Sequence, residues 1–100
     1  MRLRKKPWGD NELNTNDRFI HKPQENKGKW REVFQNDNPI HIEIGTGKGQ
    51  FLTTMSILNP NINYIAIERQ TNVIVSALKK GREKGVGKNI VFFVADVKEL

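Results

Sequence analysis

The sequence predicts an α/β domain with a parallel sheet, in the order β-α-β-α-β across residues 40–100. Three observations predict it. Ile40, Ile42 and Ile44 alternate with His41 and Glu43, the period of a strand. Two later segments carry apolar residues at helical spacing. The connections between strand-like and helix-like runs are short, and such alternation favours parallel strands joined by crossover helices.

Taken in order, the first strand is broken by Gly45-Thr46-Gly47-Lys48-Gly49, and a helix follows with Phe51, Leu52, Met55 and Leu58 expected on its inner face. Asn59-Pro60 ends that helix. Residues 63–67, rich in Ile and Tyr, form a second strand closing on Glu68. Val73, Ile74, Ala77 and Leu78 make the stripe of a second helix, which Gly85 and Gly87 close. Ile90–Val94 is an apolar run of strand length, followed by Ala95-Asp96.

The chain divides in two by composition. Residues 1–39 hold 9 of the 36 apolar residues and six Asn, with Pro7, Gly9, Pro23, Gly28 and Pro39 interrupting any long helix. They read as a polar, basic and partly mobile arm, with a short helix at residues 29–34 bearing Trp30, Val33 and Phe34 on one side. Residues 40–100 hold the other 27 apolar residues, so the core is expected to begin at Ile40.

One hundred residues suit a single domain at most. The absence of cysteine excludes disulfides, thiolate zinc sites and cysteine nucleophiles. With only His21 and His41, no metal site is expected. No apolar run approaches the roughly 18 residues of a membrane span, and a soluble, cytoplasmic chain is expected. The net charge is +6, and each part contributes +3. Two basic clusters stand out, one at residues 2–6 and one comprising Lys79, Lys80, Arg82, Lys84 and Lys88 against Glu83 alone. Such clusters suit the phosphates of a nucleic acid, and they also serve as solvated surface.

Ligands of open parallel sheets bind at the carboxyl ends of the strands. There the sequence places the glycine loop, then Glu68, then Asp96. Taken singly, each has a plain structural explanation as a tight turn or a solvated strand end. His41 reads as a structural histidine and Lys48 as a solvated loop lysine. The convergence of the loop and two acids on one edge is what marks a ligand site.

The loop departs from two phosphate-binding patterns. Lys48 is followed by Gly49, where a P-loop requires Ser or Thr, and Gln50 stands where the dinucleotide fingerprint requires its third glycine. Glu43, two residues before Gly45, would repel a pyrophosphate. S-adenosyl-L-methionine suits this charge pattern better, because it has no phosphate and carries a sulfonium, an ammonium and one carboxylate. The amides opening the next helix favour that carboxylate. Glu68 lies 23 residues beyond Gly45, close to the roughly 20-residue offset of an acid that binds a ribose diol. Asp96 can then accept a hydrogen bond from the adenine amine.

Residues 40–51, I-H-I-E-I-G-T-G-K-G-Q-F, together with N-P-N-I-N-Y-I-A-I-E at residues 59–68 and the opening M-R-L-R-K-K-P-W-G, resemble the bacterial tRNA (guanine-7-)-methyltransferases. The resemblance spans all 100 residues. It implies a Rossmann-like methyltransferase fold, S-adenosyl-L-methionine as methyl donor and a variable-loop guanine of tRNA as acceptor. On the matching positions, Glu43, Glu68 and Asp96 would bind the donor, with Gly45, Gly47 and Gly49 shaping its pocket. The family's Asp-Pro-Trp-Pro and Thr-Asp segments do not occur here, so no catalytic residue carries over. The expectation is therefore the amino-terminal, donor-binding half of a larger enzyme, with the first strand exposed as an apolar edge in its absence. The alternatives are another S-adenosylmethionine-dependent enzyme acting on a small molecule or protein, a nicotinamide dehydrogenase, and a non-catalytic RNA-binding fragment.

Overall fold

The computed structural model describes residues 8–45 and 50–95. Three strands, β1 (Ile40–Ile44), β2 (Asn63–Glu68) and β3 (Ile90–Val94), form one sheet in the order β1-β2-β3. Both pairings are parallel, with Ile42 opposite Ile65 and Ile65 opposite Val91. Helix α3 (Gln50–Leu58) connects β1 to β2, and α4 (Thr71–Lys84) connects β2 to β3. The expected order is therefore observed.

The central strand shows why the sheet holds together. Residues 63–67 of β2 are all buried, the mark of a strand covered on both faces. Tyr64 and Ala66 face α3 and α4 and join Leu52, Ile74, Leu78 and Phe92 in one core cluster. Ile65 and Ile67 point the other way and join Val91, Phe93 and Phe34 in a second. Helix α4 buries Ile74, Val75, Ala77, Leu78 and Gly81. It ends on Gly85 at φ +79°, a left-handed cap whose amide donates to the Arg82 carbonyl.

Residues before Ile40 supply part of this core. Helix α1 (Gly9–Thr15) lies on α4, fastened by Arg82, whose Nε and Nη2 donate to the two carboxylate oxygens of Glu12 at 3.0 and 2.9 Å. Glu12 is buried, and the Arg82 hydrogen bonds hold its carboxyl below the ordinary value of 4.5. Beyond α1, Phe19 forms a parallel bridge with Phe92 on the outer edge of β3. The Phe92 amide donates to Arg18 O and the Ile20 amide to Phe92 O, each at 2.8 Å. A 3-10 turn at Pro23–Asn26 leads to α2 (Trp30–Phe34), the short helix expected there. Trp30 stacks on Phe93 at 5.7 Å between ring centroids, and Phe34 is only 6% exposed. The arm thus passes from the helix face of the sheet, around β3, to the opposite face. The core does not begin at Ile40.

Helix α3 corrects a second expectation. It buries Leu52, Thr53 and Ser56, whereas Phe51 and Leu58 are 62% and 68% exposed. The inner face is turned from the expected one because α3 packs on α4 and β2. β1 is an edge strand among the described residues, and its Ile42 and Ile44 are 59% and 53% exposed.

Candidate functional site at the carboxyl edge of the sheet

The ends of the three strands are tied to one another by backbone hydrogen bonds. The Gly45 amide, just past β1, donates to Ile67 O at 2.8 Å, and the Ala95 amide, just past β3, donates to Glu68 O at 3.1 Å. Gly45 has φ +72°, a left-handed conformation that strains any residue with a Cβ. The chain therefore leaves β1 through a turn that its glycine makes accessible.

Glu68 is held in a defined pose. Its Oε1 accepts hydrogen bonds from the amides of Arg69 and Gln70 at 2.9 and 3.3 Å. These amides open the turn into α4, so the carboxylate is oriented by the backbone. Its second oxygen has no protein partner among the described residues. A half-exposed carboxylate, fixed through one oxygen and open at the other, can accept hydrogen bonds from a ligand diol without first being ordered.

Glu43 lies on the helix-facing side of β1, half-buried, across the ladder from Ala66. It lines a cavity of about 430 Å³ with His41, Tyr64 and the α3 residues Phe51, Leu52 and Met55. His41 meets Tyr64 edge to face at 5.6 Å, a packing role that fits its structural reading. A carboxylate here places negative potential one residue before the strand's last position, where a cationic ligand group gains from it.

The structure thus gathers Glu43, Gly45 and Glu68 on adjoining strand ends. Gly47, Gly49 and Asp96 lie outside the described residues, as does the basic cluster at residues 2–6. The cluster at residues 79–88 is placed differently from a free basic patch. Arg82 is engaged by Glu12, and Lys79 sits over the Trp8 ring at 4.9 Å. Sequence reasoning missed both the Glu12–Arg82 pair and the strap along β3. Their partners are about 70 residues apart, and no local period announces them.

Among the described residues, no helix is long and apolar enough to cross a membrane, and no group of three His, Asp or Glu side chains could hold a metal.

Comparison with known proteins adds a family. Residues 37–100 match the family model described as "Putative methyltransferase". The chain is 49% identical over 100 residues to the tRNA (guanine-N(7)-)-methyltransferase of Lachnoclostridium phytofermentans, covering all of this chain and 46% of that protein. It is 50% identical over 101 residues to the enzyme of the same name from Listeria monocytogenes, covering 47% of it. Over 81 residues it is 57% identical to the one from a Geobacillus species, covering 37% of it. The chain thus spans under half the length of these curated relatives. Among solved structures, an antibiotic-related methyltransferase superposes with a TM-score of 0.62 at 28% identity, over 74% of this chain and 39% of that one. YjhP from E. coli, at 22% identity and a TM-score of 0.53, shares the fold.

Proposed function

The chain belongs to this methyltransferase family, and on that footing we propose that it binds S-adenosyl-L-methionine and serves the formation of 7-methylguanosine in the variable loop of tRNA. The observation that carries the reading is the pose of Glu68, oriented by two backbone amides and, among the described residues, open at one oxygen beside the ends of β1 and β3. When bound, the donor supplies a methyl group on a cationic sulfur. Glu68 receives the ribose hydroxyls, and Glu43 provides negative potential toward the positive end. Gly45 lets the backbone turn at the strand end, and Gly47 and Gly49, which follow it in the sequence, shape the donor pocket. Asp96, one residue past Ala95, takes the adenine amine.

This assignment asks little acid–base chemistry of the chain. The seven-position nitrogen of guanine has a free lone pair at neutral pH, so methyl transfer needs no strong base. Holding the two reactants in line can contribute roughly 7–11 kcal/mol to lowering the barrier. The relatives' names supply the tRNA guanine as acceptor, supported by 49–57% identity.

Equilibrium titration of the chain with S-adenosyl-L-methionine tests the donor assignment. Saturable binding is expected, and Glu68→Ala should weaken it by about 1.5–3 kcal/mol, the range for hydrogen bonds to a charged group. A loss below a few tenths would reduce Glu68 to a strand end. Binding of a nicotinamide dinucleotide in place of the donor would replace the assignment altogether.

A further inference from the structure

The parallel bridge between Phe19 and Phe92 gives the arm a direction. From Arg18 to Ile20 it runs alongside β3 toward the carboxyl edge of the sheet. His21 and Lys22 stand two and three residues past Phe19, as Val94 and Ala95 stand two and three past Phe92. Ala95 is the residue bonded to Glu68 O. The next stretch lies over the second face of the sheet, from mid-strand to the carboxyl end, because Pro23, Gln24, Lys27 and Trp30 line a cavity of about 340 Å³ with Ile42 and Ile65 as well as Ile67 and Phe93.

Residues 21–29 thus lie against the carboxyl half of the sheet, next to the edge that carries Glu68. They hold His21, Lys22, Lys27 and Lys29, all exposed, against the single acid Glu25. None of the three lysines pairs with a carboxylate among the described residues. The other basic segment is at the wrong end. Helix α4 begins beside Glu68 and runs back for 14 residues, about 20 Å at the rise of an α-helix, so Lys84 and Lys88 sit at the amino edge of the sheet. Two of that cluster's five cations are already engaged, Arg82 by Glu12 and Lys79 by Trp8.

We propose that residues 21–29 of the arm, through Lys22, Lys27 and Lys29, form the surface that meets the phosphate backbone of the RNA substrate, and that the basic end of α4 does not. This rests on the tRNA reading above and adds to it where the RNA lies. A substrate presenting a base at the carboxyl edge must run its backbone past the same edge, where the three arm lysines, beside the exposed Arg69 that follows Glu68, offer unpaired cations among the described residues.

Two triple variants of the full chain separate the surfaces: Lys22→Gln/Lys27→Gln/Lys29→Gln, and Lys80→Gln/Lys84→Gln/Lys88→Gln. Binding of an unmodified tRNA transcript is followed by fluorescence anisotropy across a salt series, and S-adenosylhomocysteine is titrated into the same samples. The arm variant should lower the slope of log K against log salt by about 2–3, at 0.7–0.9 per lost contact, while the α4 variant changes it by less than about 1. S-adenosylhomocysteine should bind both alike, which also reports that the fold is retained. The reverse ranking, or an unchanged slope in the arm variant with S-adenosylhomocysteine still bound, overturns this surface alone. A wild-type chain that binds neither RNA nor S-adenosylhomocysteine overturns it together with the reading it rests on.

Discussion

The two edges of the sheet are finished in opposite ways. On the β3 side, the arm supplies a backbone bridge at Phe92, a ring stacked on Phe93 and a buried ion pair that ties α1 to α4. On the β1 side, among the described residues, Ile42 and Ile44 carry more than half of their surface exposed. The same chain therefore protects one edge with residues of low apolar content and leaves apolar residues on the other. Protection of a strand edge is a matter of where partners lie in space, and the composition of a segment is a poor guide to it.

The contrast can be broken most forcefully at Phe34. Truncation of this arm residue, nearly sealed in the second core cluster, should cost about 3–4 kcal/mol. Urea unfolding midpoints read the loss directly. A cost under 1 kcal/mol would mean that the arm is an ornament on a sheet that stands without it.

Next in size is Glu12→Gln, expected to cost about 1–2 kcal/mol at neutral pH, less than a fully buried pair because Arg82 remains solvated on one side. The pH dependence has a definite sign. The Glu12 carboxyl is held below 4.5, so its contribution is complete above that value and is lost as pH falls through the lowered one. Wild type and variant should accordingly converge in acid, and parallel stability curves from pH 7 to pH 3 would contradict the pair.

Gly45→Ala probes the end of β1. Its φ of +72° with no atom near the added Cβ predicts a purely conformational penalty of about 1 kcal/mol. Thermal unfolding of this variant beside wild type suffices to detect it. Smallest of all is Ile42→Thr on the exposed edge, where a change within about 0.5 kcal/mol is expected, with reduced self-association in light scattering. A loss comparable to that of Phe34→Ala would show that the β1 edge is covered after all.

Local periodicity made β1, β2, β3 and α4 legible in the sequence, together with the parallel order and the meeting of Glu43, Gly45 and Glu68 at one edge. Each depends on contacts within a few residues or on connection length. Helix α1 was not legible, because seven polar-rich residues carry no period long enough to read and Glu12 is buried only through a partner 70 positions away. The inner face of α3 was misjudged for a related reason. Phe51 and Leu58 are apolar, but packing on α4 and β2 turns Thr53 and Ser56 inward, and the Ser56 hydroxyl satisfies itself on Thr53 O. Apolar spacing finds a helix; the elements it packs on decide which side it buries.

A donor seated across the carboxyl ends of the three strands must disturb the amides there. Chemical-shift mapping on the nitrogen-15-labelled chain, titrated with S-adenosylhomocysteine, should therefore give the largest shifts at Gly45, Arg69, Gln70 and Ala95, with Lys84 to Asn89 at the opposite edge unmoved. Shifts confined to that opposite edge, or to Pro23, Gln24 and Trp30 over the second face, would contradict that seat.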